Sequence, residues 1–143
     1  MTSPLQEVMS YVGTGNADPI LREIRFALAK LVETGEPTVI DLGAIPFAAG
    51  DERILDKVLG RGELQATLTS MGESRIAETG VAGVWRVDHF DADGEVQSRF
   101  IEVTYMPEIL RTQKEDAAYA LARLDEMLNE RAEARAQAQS GVN

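Results

Sequence analysis

The stretch that most narrows what this chain can fold into lies at 83–110, GVWRVDHFDADGEVQSRFIEVTYMPEIL. Two runs rich in β-branched and aromatic residues, 83–90 and 95–105, flank Asp93-Gly94, a dipeptide suited to the two positive-φ positions of a type I′ turn. The pattern predicts an antiparallel hairpin. A two-residue loop sets its register, with Asp88 opposite Arg99, Val87 opposite Phe100 and Trp85 opposite Glu102. A slip of two residues would oppose Trp85 and Phe100 instead. Either register leaves Trp85, Val87, Phe100 and Glu102 on one face. Met106-Pro107-Glu108 closes the second strand, because proline cannot continue a ladder.

The rest of the chain supplies partners for that hairpin. Leu64, Ala66 and Leu68 alternate with Glu63, Gln65, Thr67 and Thr69, the period of a strand with one face inward. Met71-Gly72 turns the chain back into a strand at 74–79, with Ile76 its main apolar residue, and Gly80 and Gly83 flank a bend before the hairpin. Thr38, Val39 and Ile40 suit a short edge strand that Pro46 ends.

Helical spacing appears in four places. Ser3, Pro4 and Gln6 open a short first helix carrying Leu5, Val8, Met9 and Val12. Asp18 is the expected N-cap of a helix at 19–34, with Ile20, Ile24, Leu28, Leu31 and Val32 inward and Gly35 as its stop. A helix from Ala49 to Leu59 turns Ile54, Leu55, Val58 and Leu59 to one side and ends at Gly60. Thr112 with Glu115 forms a capping box for the last helix, whose stripe of Ala117, Leu121, Leu124 and Leu128 is expected to cover the sheet. Beyond Leu128 the residues are Ala, Glu, Arg and Gln, a polar extension.

These elements predict an α+β fold, an antiparallel sheet of about four to five strands packed by two long helices, 19–34 and 113–128, plus shorter helices. A chain of 143 residues is the size of one domain. The expected division is a first helix and loop at 1–15, a core at 16–128 and an extension at 129–143.

Composition then removes whole classes of function. With 24 acidic against 14 basic residues the formal charge is −10, a field that repels phosphate backbones and anionic headgroups. Neither a nucleic acid nor a membrane surface is an expected partner; the acidity, spread along the chain, reads first as solubility, with attraction to a basic patch on another protein as the alternative. The absence of cysteine excludes disulfides, iron–sulfur ligation and thiolate chemistry. No apolar run approaches the roughly 18 residues of a spanning helix, and no segment has the form of a signal peptide, so a soluble, cytoplasmic protein without membrane insertion is expected.

Motifs that invite a chemical reading do not complete one. In the GTGNAD run at 13–18, Asp18 stands where the dinucleotide fingerprint needs its third glycine, and no strand clearly precedes it. Gly60-Arg61-Gly62 runs into a strand rather than the helix a phosphate cradle requires. Asp91 and Asp93 before Gly94 lack the spacing and later glutamate of a calcium loop. The single histidine, His89, cannot build a multi-histidine metal site, and no nucleophile elbow surrounds any serine. No metal, cofactor or catalytic residue is assigned.

Two alternatives stay open at this level. Glu63 and Glu102 would form an acid/base pair if the fold brought them together. Trp85, the only tryptophan, is either a core anchor with its indole N–H paired or a protein-binding hot spot beside Arg86 and Glu102.

Three runs, LGRGELQATL at 59–68, GVWRVDHF at 83–90 and FIEVTYMPEIL at 100–110, together resemble the C-terminal region of the HupH/HyaF family of hydrogenase expression/formation proteins, across about 19–128. The resemblance implies a cytoplasmic accessory factor or chaperone in maturation of an uptake [NiFe] hydrogenase, a protein-binding role rather than an enzymatic one. The implied partner is the small-subunit precursor or another maturation protein. Residue by residue, Gly60, Gly62 and Glu63, then Gly83, Val84, Trp85 and Arg86, then Glu102, Pro107 and Glu108 match. Of these, Gly60, Gly62, Glu63, Trp85, Arg86, Glu102, Pro107 and Glu108 are the expected partner-binding residues. Family members commonly carry two copies of the region where this chain carries one. A homodimer would restore the pair, and a purely structural dimerisation module is the remaining alternative.

Overall fold

The computed structural model describes residues 12–141. Its elements are α1 (Ala17–Thr34), β1 (Thr38–Asp41), α2 (Ala49–Leu59), β2 (Gln65–Thr69), β3 (Glu73–Glu78), β4 (Val84–Phe90), β5 (Val96–Val103), a 3-10 turn (Glu108–Leu110) and α3 (Lys114–Ser140). The first helix expected from Ser3, Pro4 and Gln6 lies outside the described residues. The chain divides into two compact units, one ending at Pro107 and the other starting at Glu108.

The first unit holds one antiparallel sheet in the order β1-β5-β4-β3-β2, so the α+β reading of the sequence holds. In the β4–β5 hairpin Asp88 pairs with Arg99, Val87 with Phe100 and Trp85 with Glu102, the register expected from a two-residue loop. The turn itself differs. Within the loop only Gly94 has a positive φ, 81°. The Gly94 N–H donates to the Asp91 carbonyl at 3.0 Å and the Asp91 N–H to the Glu95 carbonyl at 2.8 Å. The loop is therefore Ala92-Asp93-Gly94, a type I turn closed by a left-handed glycine, not type I′. A one-residue shift between His89 and Phe90 then cancels the extra loop residue, as a bulge does.

Side chains alternate across the sheet. Ile40, Val84, Ile101 and Val103 form one core with Ile20, Ile24, Ala27 and Leu31 of α1 and Leu55 and Leu59 of α2. On α1 the buried residues follow at three and four residue steps, while Val32, expected inward, is exposed. The helix starts at Ala17 with Asn16 as its cap residue. Asp18 thus sits inside the first turn, where a negative charge still favours the positive end of the helix dipole. On α2 the buried row is Asp51, Leu55 and Leu59, with Gly50 beside it; Ile54 and Val58 are exposed. A helix lying on a sheet buries the row that faces it, and each such leucine contributes about 2 kcal/mol.

One other expected burial is not found: Leu64 and Leu68 remain exposed at the β2 edge of the sheet. The second unit's α3 runs 27 residues without a break, with Gln113 rather than Thr112 at its cap. Its alanine content and the pairing of Arg123 with Glu126 at 3.2 Å support the helix locally.

Candidate functional site

Beside its apolar core the helix-covered sheet face turns ionic. Arg86 and Asp88 follow Val84 at two-residue steps on β4, and Arg99 precedes Ile101 on β5, so all three charges share the face that carries the core. From α2, Glu52 and Asp56, one turn apart, pair with them. The Arg86 guanidinium bonds both Glu52 and Asp56, and Arg99 Nη1 lies 3.5 Å from Glu52 Oε2. Arg99 Nε is 3.9 Å from Asp88 Oδ1. An arginine, with donors fanned in one plane, is suited to hold two carboxylates from one helix at once.

The energetics of this cluster are set by competition between burial and pairing. Burial works against the Arg86 charge, yet the hydrogen bond and field of Glu52, with Asp56 and Asp88, outweigh it and raise its proton affinity. Burial likewise pushes the Asp88 carboxyl above its ordinary range, against the pull of Arg86 and Arg99. Arg86 Nε, Arg99 Nε and Asp88 Oδ1 are buried without a hydrogen-bond partner. A cavity of ≈ 450 Å³ opens over the cluster between α2 and strands β2 to β4, with Arg61, Gln65, Thr67 and Arg75 on its walls. A second cavity of ≈ 570 Å³, lined by Leu42, Phe47, Ala49 and Val96, also has Glu52 and Arg99 on its wall. The two hollows share Glu52 and Arg99 on their walls.

The other end of α2 is anchored by a buried acid. Asp51, fully buried, accepts hydrogen bonds from the Thr14 N–H at 2.9 and 3.0 Å, the Thr14 hydroxyl at 2.7 Å and the Ala48 N–H at 2.8 Å. Burial raises this carboxyl, but the donors from Ala48, Thr14 and Gly15 outweigh it and hold the group below the usual carboxylate range. The glycine-rich run at 13–18 does cradle an anion, and the anion is the protein's own. A Cβ on Gly13 would lie 2.7 Å from Asp51 Oδ1, so only glycine passes so close without a shift.

The structure distributes the expected partner-binding residues over several places. Trp85 is buried on the sheet face opposite Arg86, with its Nε1 donating to the Thr104 carbonyl at 3.1 Å. Glu102 pairs across from it on that face, half-buried, with Oε2 unpartnered. Burial pushes the Glu102 carboxyl up, offset in part by His89. His89 itself accepts or donates at 2.7 Å with the Ser74 hydroxyl and meets Phe100 edge-on at 5.8 Å. Gly60 closes α2 at φ 68°. Gly62 packs so tightly that a Cβ would lie 2.7 Å from the Thr79 carbonyl. Glu63 is exposed and Pro107 buried. In the second unit Glu108 is exposed, 3.7 Å from Arg111 and 3.3 Å from Gln113.

The acid/base alternative is not assembled. Glu63 leads into β2 and Glu102 sits on β5, with β3 and β4 between them, about 14 Å apart at ordinary strand spacing. Sequence reading paired Asp88 with Arg99 but missed Glu52, Asp56 and Asp51. One signal was present: Arg86 has the same parity as Val84 and faces Ile101, and a charge placed on an inward face requires partners. Among the described residues no group of three or more His, Asp or Glu is arranged to hold a metal ion, and no helix is long and apolar enough to cross a membrane.

Comparison with known proteins gives this arrangement its relatives. The model of the HupH hydrogenase expression protein, C-terminal conserved region, matches residues 14–131. Hydrogenase expression/formation protein HupQ of Azotobacter chroococcum is 34% identical over 78% of this chain and 40% of its own length. HupH of Rhodobacter capsulatus is 31% identical over 81% of this chain and 42% of its own. The chain thus spans about two fifths of the curated relatives it matches. The solved structure of hydrogenase expression protein HupH from Thiobacillus denitrificans superposes with a TM-score of 0.80 at 42% identity, covering 83% of this chain and 99% of that one. By sequence over most of its length and by fold, the chain belongs to the HupH family of hydrogenase expression/formation proteins, in its C-terminal conserved region.

Proposed function

We propose that this protein is a non-enzymatic, cytoplasmic accessory factor in the maturation of an uptake [NiFe] hydrogenase, holding a precursor subunit while it is assembled. The observation that carries the reading is the match at 14–131 to a region of proteins named for hydrogenase expression and formation. The surface is compatible with it. An acidic chain of charge −10 attracts a basic client, and the mixed-charge hollow over Arg86 and Arg99 offers ion-pair exchange to a polypeptide. The acidic residues Glu63 and Glu102 form the rim proposed to meet the client, on a frame held by Gly60, Gly62, Trp85, Arg86 and Pro107, and Glu108, in the second unit, is proposed as a separate contact.

The test is co-purification of the tagged chain with the hydrogenase small-subunit precursor. Enrichment of the precursor over mature subunit is expected, and no enrichment with the wild-type chain overturns the assignment. Glu102→Lys, verified as folded by near-ultraviolet circular dichroism, is expected to weaken capture about tenfold. Capture equal to wild type removes the rim from the proposal and leaves the client in place.

A further inference from the structure

Among the described residues the sheet has two unpaired edges, β1 and β2, and they are not equivalent. On β1 the backbone groups of Ile40 face β5, since the Leu42 N–H donates to the Arg99 carbonyl and bonded residues alternate. Only Val39 and Asp41 therefore present backbone groups outward, and they are guarded by Pro37, which has no N–H, and by the charge of Asp41. On β2 the Glu78 N–H donates to the Leu64 carbonyl at 2.9 Å and the Ser70 N–H to the Gly72 carbonyl at 3.0 Å. The even residues thus turn inward to β3, and Gln65, Thr67 and Thr69 turn three N–H and three C=O groups out. Within Gln65–Thr69, QATLT, there is neither a charge nor a proline, the two devices that usually protect an edge.

The surroundings of this edge say what would cover it. On one face Leu64 and Leu68 are 44% and 36% exposed, an apolar step that continues the face of Ile76 and Val87. On the other, Gln65 and Thr67 line the polar hollow with Arg61 and Arg75. A strand laid against β2 would set alternate side chains on the leucines and on the hollow. Glu63 stands at the entrance of the strand, and the chain carries a charge of −10, which opposes a second copy and favours a segment that is neutral or basic.

We propose that the β2 edge is a strand-addition site for an extended, proline-free segment of a partner protein, apolar at alternate positions and basic at its ends. It is independent of the identity of the client, because backbone pairing reads extended shape more than sequence. The probe is a blocked heptapeptide, Lys-Val-Thr-Val-Thr-Val-Lys, at up to about 1 mM, with a control in which glutamates replace the lysines.

Amide hydrogen exchange at Gln65, Thr67 and Thr69 is expected to slow about tenfold with the lysine peptide, and less with the glutamate peptide. Thr67→Pro removes only an outward N–H, so it is expected to leave the fold intact and abolish the protection. No slowing at these three amides overturns the inference. So does protection that rises with protein concentration without peptide, which would mark a second copy, and so does peptide binding that survives Thr67→Pro. Capture of the precursor by Thr67→Pro at wild-type level would overturn this site as the client's and leave the proposed function standing.

Discussion

Asp51 shows how one residue joins distant segments. Its carboxylate gathers donors from Thr14, Gly15 and Ala48, tying the loop before α1 to the start of α2. Asp51→Asn keeps the size but replaces one acceptor oxygen by a donor facing donors, and is expected to cost about 2 kcal/mol in urea denaturation at pH 7. Because the folded-state carboxyl is held below its ordinary value of 3.8, its stabilisation is complete above that value and is lost as pH falls through the lower folded one. The difference between wild type and Asp51→Asn is therefore expected to shrink below about pH 4, and a constant difference down to pH 2.5 or so would remove the charge from this account. Arg86 is the second such residue. Arg86→Met leaves Glu52 enclosed without its main partner and is expected to cost about 3 kcal/mol, with Glu52→Gln added to it recovering at least half.

At the scale of elements, the β4–β5 hairpin is the instructive case. The face its residues share was legible in the sequence because inward and outward residues alternate, and a slip of one would turn Trp85, Val87 and Phe100 to the wrong face, whereas a slip of two keeps that face and is excluded only by the observed pairing. Its turn was not, since Asp-Gly serves both a two-residue type I′ loop and a type I turn closed by left-handed glycine. The observed turn demands positive φ at Gly94 and not at Asp93. Gly94→Ala is expected to lower stability by about 1 kcal/mol, while Asp93→Gly brings no gain, as thermal unfolding would show. The α2 helix carries the same lesson: its bounds at Ala49 and Leu59 follow from local pattern, but Leu55 rather than Ile54 is buried. Adjacent residues both look inward on a helical wheel, and only the position of the sheet chooses between them.

At the scale of the molecule, the charge of −10 weighs on the folded state through self-repulsion. The Arg86–Glu52 pair is shielded from salt by burial, whereas the surplus acids are not. Raising sodium chloride from about 0.05 to about 0.5 M is therefore expected to raise the melting temperature by a few degrees, and a decrease would show that exposed ion pairs outweigh the repulsion.

What the sequence by itself determined was local and periodic: the α+β class, the five strands, the bounds of α2, the hairpin and the face its residues share, and membership of the HupH family carried by short runs at 59–68, 83–90 and 100–110. Period, turn residues and family pattern are properties of neighbours along the chain. Only the tertiary structure decided that Glu52 and Asp56 meet Arg86, that the loop at 13–18 closes on Asp51, that Trp85 and Arg86 face opposite ways with Trp85 buried, and that β2 is left as an unguarded edge. Those facts depend on strand order and on which residues lie across a gap of some 35 positions, and no period in the sequence encodes them.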